Sequence, residues 1–189
     1  MITTRLRFCC LLLILAGLVA FLGSCATHQS AGIGVTPTAA IPLATPIITG
    51  NAEGAPDGCS VETVADRLMD LATAVNHTDE NAAGEFFGKG SMEWFCTVED
   101  GEPFTAYTTD ELEAHFQRRY AQHEQWQVES IQFNGWERAR GLIHFGPVII
   151  WRTADDLSAP FQALGKGAYS CARQQFVVLC LGGETETAR

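Results

Sequence analysis

A short apolar run behind two arginines decides how much of this 189-residue chain can fold, and in what surroundings. Arg5 and Arg7 form a basic start, Phe8 to Gly23 is uncharged and mostly apolar, and Leu22-Gly23-Ser24 places small residues directly before Cys25. A basic start, a short apolar core and small residues at the cut are what a secretory signal needs. The run is about 16 residues, short of the roughly 20 that span a bilayer. Residues 1–24 are therefore expected to leave as a signal peptide, and the remainder is expected to fold outside the cytoplasm. No arginine pair precedes the run, which favours general secretion over the twin-arginine route.

The string Leu22-Gly23-Ser24-Cys25 is similar to the lipobox of bacterial lipoproteins. That resemblance implies that the Cys25 thiol takes diacylglycerol, that the chain is cut before it, and that Cys25 becomes the lipidated N-terminus. Acyl chains add about 0.8 kcal/mol per buried methylene, so more than one chain gives stable anchoring. The expected address is the extracytoplasmic face of a membrane.

Loss of Arg5 and Arg7 would leave 10 basic against 22 acidic side chains, a formal net charge of −12. Nucleic-acid binding relies on lysine and arginine meeting phosphate, so nucleic acid is not an expected partner. The same charge argues against a polybasic membrane contact. With Cys9 and Cys10 removed and Cys25 lipidated, Cys59, Cys96, Cys171 and Cys180 remain. An even number in an exported chain reads as two disulfides, with three connectivities open. No CxxC spacing occurs, and neither a metal nor a cofactor is expected.

From Ala26 to Gly58 the chain is small, polar and proline-rich, with Pro37, Pro42, Pro46 and Pro56 and only Glu53 and Asp57 charged. Such a stretch cannot bury enough surface to offset its ordering entropy. Residues 25–58 are expected to be the lipidated cysteine and a disordered tether spanning roughly 30–35 Å as a coil.

Regular pattern begins at Cys59. Ser60 can cap a helix in which Val61, Val64, Ala65, Leu68, Ala72 and Val75 share a face, ending near Asn76. Thr78 can cap a second helix through Phe87. Asn76-His77-Thr78 also matches a glycosylation sequon, but a helix boundary explains it better. Short strands are expected at Glu93–Val98 and Phe104–Tyr107 around a Glu99–Glu102 turn. Thr109 or Asp110 can cap a third helix carrying Leu112, His115, Phe116, Arg119, Tyr120 and His123. Strands follow at about Trp126–Phe133, Arg138–Thr153, Ala163–Ala172 and Phe176–Leu181, with a turn at Arg173–Gln175. Pro147 cannot donate to a ladder and predicts a bulge or bend. Residues 184–189 read as a disordered tail.

This order, with Glu93-Trp94-Phe95, Tyr107-Thr108-Thr109-Asp110-Glu111-Leu112, Phe116, Arg119, Arg152-Thr153-Ala154-Asp155-Asp156 and Gly165-Lys166-Gly167-Ala168-Tyr169-Ser170-Cys171, resembles the nuclear transport factor 2-like superfamily with its SnoaL-like domains. The resemblance covers residues 59–183. It implies an α+β fold, a cone in which a strongly curved, mostly antiparallel sheet wraps three helices of the N-terminal half and leaves a cavity. It also implies neighbouring first and last strands, hence the pairs Cys59–Cys171 and Cys96–Cys180. The first would close a loop of about 110 residues, worth roughly 4–5 kcal/mol in the chain-entropy account.

Enzymes of the superfamily place a histidine or aspartate in the cavity beside a tyrosine. His144, Asp66 and Tyr169 are the weak candidates for that role, with His115 and Tyr120 behind them, and no residue is assigned as catalytic. With regular alternation His144 would share a face with Leu142, Val148 and Ile150. Trp94, Phe116, Arg119, Tyr120, His144, Trp151 and Tyr169 are the candidates for a pocket lining. Arg119 is better read as an ion-pair partner of Asp155 or Asp156, and the glycines of Gly165-Lys166-Gly167 as a bend where a strand begins.

No G-x-S-x-G elbow is present. The leading expectation is a membrane-anchored, non-catalytic, pocketed domain that binds a small apolar ligand or an envelope protein. The alternatives are an isomerase- or dehydratase-like enzyme and a structural protein-interaction module. A homodimer is an open partner state. A cavity with a paired acid and base would favour the enzyme, a greasy cavity the ligand, and a filled interior partner recognition.

Overall fold

The computed structural model of the protein describes residues 45–99 and 101–183. The signal segment, Cys25, the tether as far as residue 44 and the tail 184–189 lie outside the described residues. Strands β1 (Ile47–Asn51), β2 (Trp94–Glu99), β3 (Glu102–Ala106), β4 (Gln125–Glu137), β5 (Leu142–Thr153), β6 (Phe161–Ser170) and β7 (Gln175–Gly183) form one mixed sheet in the order β1-β4-β5-β6-β7-β2-β3. Helices α1 (Val61–Asn76), α2 (Ala82–Phe87) and α3 (Thr109–Tyr120) pack through their apolar sides onto one face, called inner here. None of the helices among the described residues is long and apolar enough to cross a membrane.

Local chemistry sets the helix starts. The Ser60 side chain accepts from the Thr63 N–H at 3.2 Å, and Val64, Ala65, Leu68, Leu71, Ala72 and Val75 form the buried stripe of α1. At α3 the cap is Thr108 rather than Thr109 or Asp110. Its hydroxyl accepts from Glu111 N while the Glu111 carboxylate accepts from Thr108 N, a reciprocal box that frees neither group to start the helix later. Thr78 does not cap α2. It sits at φ 56° and donates its hydroxyl to His77 O, and the helix begins only after Asn81. The Asn76 side chain is built into the fold: its amide donates to Trp126 O at 2.9 Å and accepts from Trp126 N at 2.6 Å.

The sequence boundary between tether and domain needs correction. Ile47–Asn51, assigned above to the tether, pair in parallel with Ser130–Asn134 of β4. All five residues of β1 are exposed, so the strand is held by backbone hydrogen bonds and leaves no burial period to read. Gly50 is required there: at φ +80° a Cβ would come within 2.0 Å of Phe133 O.

Register shifts bend the ladder. Between β5 and β6 the pairing jumps from Phe145 to Val148 across Gly146-Pro147, where Pro147 predicts an interruption. The shift reverses alternation, so Val148, Ile150 and Arg152 point inward whereas Leu142 and His144 point outward. His144 therefore does not share a face with Val148 and Ile150. Gly165 and Gly167 stand within β6 rather than at its start. A Cβ on Gly165 would meet Cys180 O at 2.2 Å, and one on Gly167 would meet the Phe145 ring at 2.3 Å.

Two disulfides brace the domain. Cys59–Cys171 ties the start of α1 to the β6–β7 turn with Cα atoms 5.6 Å apart, and Cys96–Cys180 joins the parallel neighbours β2 and β7 at 4.4 Å.

Candidate functional site

Among the described residues, apolar side chains pack between helices and sheet. The rings of Trp126, Phe116, Phe95, Phe87, Phe176 and Phe145 form a continuous series with successive centroids 5.9–6.1 Å apart. Tyr169 closes one side against Phe176 at 5.3 Å, and Phe133 extends the series beyond Phe145. Edge-on and tilted rings at such spacings interlock as a packed core.

At the α3 end the core gives way to a buried charge network. Glu124 is fully enclosed, with its side chain 0% exposed. One of its oxygens accepts from Arg152 Nε at 2.6 Å and from the Trp126 indole at 2.5 Å, and the other accepts from Arg119 Nε. Arg119 also donates twice to Asp156, at 2.7 and 3.0 Å, and Arg152 reaches Thr97 Oγ1 at 2.6 Å. Burial pushes the Glu124 carboxyl up, but Arg152, the indole and Arg119 outweigh it and hold it below its ordinary value. The Asp156 hydrogen bonds from Arg119 lower that carboxyl too. Burial acts against the Arg119 charge, and Asp156 and Glu124 together raise its pKa above the ordinary value. Two guanidinium groups balance two carboxylates, and the geometry is that of a structural knot.

His115 lies beside this knot, stacked on Phe104 at 4.5 Å. Burial, with Arg152, Arg118 and Arg119 adding to it, lowers its pKa to about 3 against the opposing pull of Glu124. The imidazole is therefore neutral at ordinary pH. Tyr120 donates to Asp79 O at 2.8 Å, and burial with the Asp79 charge raises its phenol pKa.

The sequence candidates separate into three places. Phe116, Arg119, Tyr120 and Tyr169 are interior and occupied by packing or hydrogen bonds. Trp94, His144 and Trp151 are on the outer face, so the seven proposed pocket residues are divided between the interior and the outer face. His144 pairs with Glu137 at 2.7 Å, and Trp151 donates to Glu129 at 2.5 Å. Asp66 and Tyr169 both line an open groove of about 370 Å³ with Thr63, Arg67, Asp70 and Gln174. Tyr169 is nearly buried there, and burial raises its pKa against the effect of Arg67. Arg67 itself pairs with Glu85 and lies over Phe86.

Sequence reasoning missed Glu124 and Arg152. Arg152 occupies an inward phase of β5, two after Ile150, and Glu124 stands immediately before β4, two residues before the inward Trp126. Opposite charges in apolar phase are the signal of a buried pair, but the Pro147 bulge hid the phase of Arg152.

The outer face carries a shallow apolar trough of about 400 Å³ lined chiefly by Gly146, Pro147, Leu164, Gly165, Cys180 and Gly182. Its glycines, Gly146, Gly165 and Gly182, come from three adjacent strands.

Among solved structures, a Pseudomonas putida NTF2-like protein of unknown function matches with TM-score 0.50 and 10% identity, over 68% of this chain and 90% of that one. A Nostoc punctiforme protein of unknown function with a cystatin-like fold matches at 0.53 and 8%, over 70% and 96%. A Xanthomonas campestris protein described as a calcium/calmodulin-dependent protein kinase II association domain matches at 0.55 and 9%, over 73% and 97%. No protein-family model matches the chain, and no curated protein matches it in sequence. These likenesses establish an α+β fold of the nuclear transport factor 2-like type and carry no activity with them.

Proposed function

We propose that this chain is a lipid-anchored extracytoplasmic protein whose disulfide-braced domain recognises an envelope protein through the outer face of its sheet. The observation that carries this reading is the packed interior: the ring series from Trp126 to Phe145 runs through the space between helices and sheet. The apolar trough on the outer face supports it from the other side, because it offers partner side chains a recess on a rigid element. The acid–base alternative is less well supported. His144 is on the outer face, and Asp66 shares with the buried Tyr169 only an open groove at the surface. The lipid anchor rests on Leu22-Gly23-Ser24-Cys25.

Native mass spectrometry of protein purified from its own membrane tests the reading. The expected species is the lipidated chain, alone or with a protein partner. A small apolar molecule held stoichiometrically by the domain would overturn it in favour of ligand presentation. For the anchor, labelled palmitate should enter the wild type and not Cys25→Ala, and equal labelling of both would remove that part of the proposal.

A further inference from the structure

We infer that the Trp94–Tyr107 corner of the outer sheet face docks an arginine- or lysine-bearing segment of a partner protein. The inference deepens the outer-face reading above and rests on it. Among the described residues the exposed large hydrophobics are Ile47 and Ile48 on β1, Trp94 at 37% and Tyr107 at 66%. Phe95 pairs with Ala106 across β2 and β3, so Trp94 and Tyr107 occupy the next cross-strand position. Phe95 and Ala106 are fully buried, which fixes the two strands beneath the rings. The Cys96–Cys180 bridge ties β2 to β7, and the Glu111 carboxylate accepts from the Tyr107 N–H at 2.8 Å. Two aromatic side chains are thus displayed on a preorganised support, which is what an interface anchor needs.

Charge names the occupant. From Gly90 to Gln117 the sequence holds seven acidic residues and no lysine or arginine. Glu93 precedes Trp94, Asp110 and Glu111 follow Tyr107, and Glu102 is on the adjoining edge strand. Two basic side chains that reach this stretch are engaged: Arg140 pairs with Glu93, and Arg118 lies over Phe104. Aromatic faces attract guanidinium and ammonium groups, and surrounding carboxylates strengthen that preference. A second copy of this acidic chain and an anionic lipid surface would both be repelled. Pro103 and Glu102 on β3 also discourage addition of a further strand, so recognition here runs through side chains.

The test is titration of the mature lipidated protein in detergent with an octa-arginine peptide, read by calorimetry at about 50 mM and about 300 mM salt. The expected result is salt-sensitive binding that weakens about tenfold in the Trp94→Ala/Tyr107→Ala double variant, whose charge is unchanged. Trp94→Phe, which keeps an aromatic face, should stay within about threefold of the wild type. Glu102→Gln/Asp110→Asn should weaken binding and flatten its salt dependence. No binding by the wild type, or equal binding by wild type and the double alanine variant, overturns the inference. The mass-spectrometric test above reads the interior and is independent of this titration, so failure of the patch is distinguishable from failure of the outer-face reading.

Discussion

At Glu124 a single carboxylate accepts from Arg152, Trp126 and Arg119 with its side chain fully buried. Removing one partner of a buried charge pair strands the others, at a cost of about 3–5 kcal/mol. Glu124→Gln is expected to lower the unfolding free energy by that order, measured by urea denaturation. A loss below about 1 kcal/mol would show that the two arginines are solvated or re-paired. His115 gives a pH signature of its own. Its pKa falls from the ordinary 6.5 to about 3 in the folded state, so the folded protein binds fewer protons than the unfolded one. Stability is complete above about pH 6.5 and is lost as pH falls, by about 2 kcal/mol between pH 7.5 and 5. Denaturation series at those two pH values should show that slope in the wild type and a flatter one in His115→Gln. The lowered Glu124 and Asp156 carboxyls add to acid sensitivity only at lower pH, as they protonate. Of these residues, Arg119 with a rim aspartate was readable from the sequence because Asp155-Asp156 is acidic and follows a strand. Glu124 was not, since its phase depends on where β4 begins.

At the scale of elements, caps and pairing set different limits. Thr108→Ala removes the reciprocal box at α3 and should cost about 1 kcal/mol, as should Ser60→Ala at α1, both measured by thermal unfolding. Helices α1 and α3 were legible because their apolar stripes repeat at helical spacing and small polar residues precede them. The late start of α2 was not, because Thr78 has the chemistry of a cap but is placed at positive φ. Strand β1 was missed for a different reason. Its pairing with β4 is made by backbone atoms, which every sequence possesses, and its exposed side chains record nothing of it. Hydrogen exchange should find protected amides within Ile47–Asn51. Uniformly fast exchange there would argue that β1 is not paired in solution.

For the whole domain, the disulfides carry much of the stability. Their sequence separations are 112 and 84, and loops of that size are each worth about 4–5 kcal/mol in the chain-entropy account. Reduction, or Cys171→Ser for the first bridge alone, should lower the denaturation midpoint sharply. An unchanged midpoint after complete reduction would mean that the core suffices without cross-links.

Residue chemistry and spacing alone determined the acidic balance, the start of α1, most strands and the interruption at Pro147, and carried the export signal and the lipidation motif as expectations. Each of these is local, written within a few residues of where it acts. Tertiary structure decided what lies far apart in the chain: that β1 joins β4, that the Pro147 bulge turns His144 outward and Arg152 inward, and that rings from six elements close the interior. It also brought Trp94 and Tyr107 together at the sheet corner. Sheet register and packing join residues by backbone pairing and volume, and neither leaves a mark on composition or period.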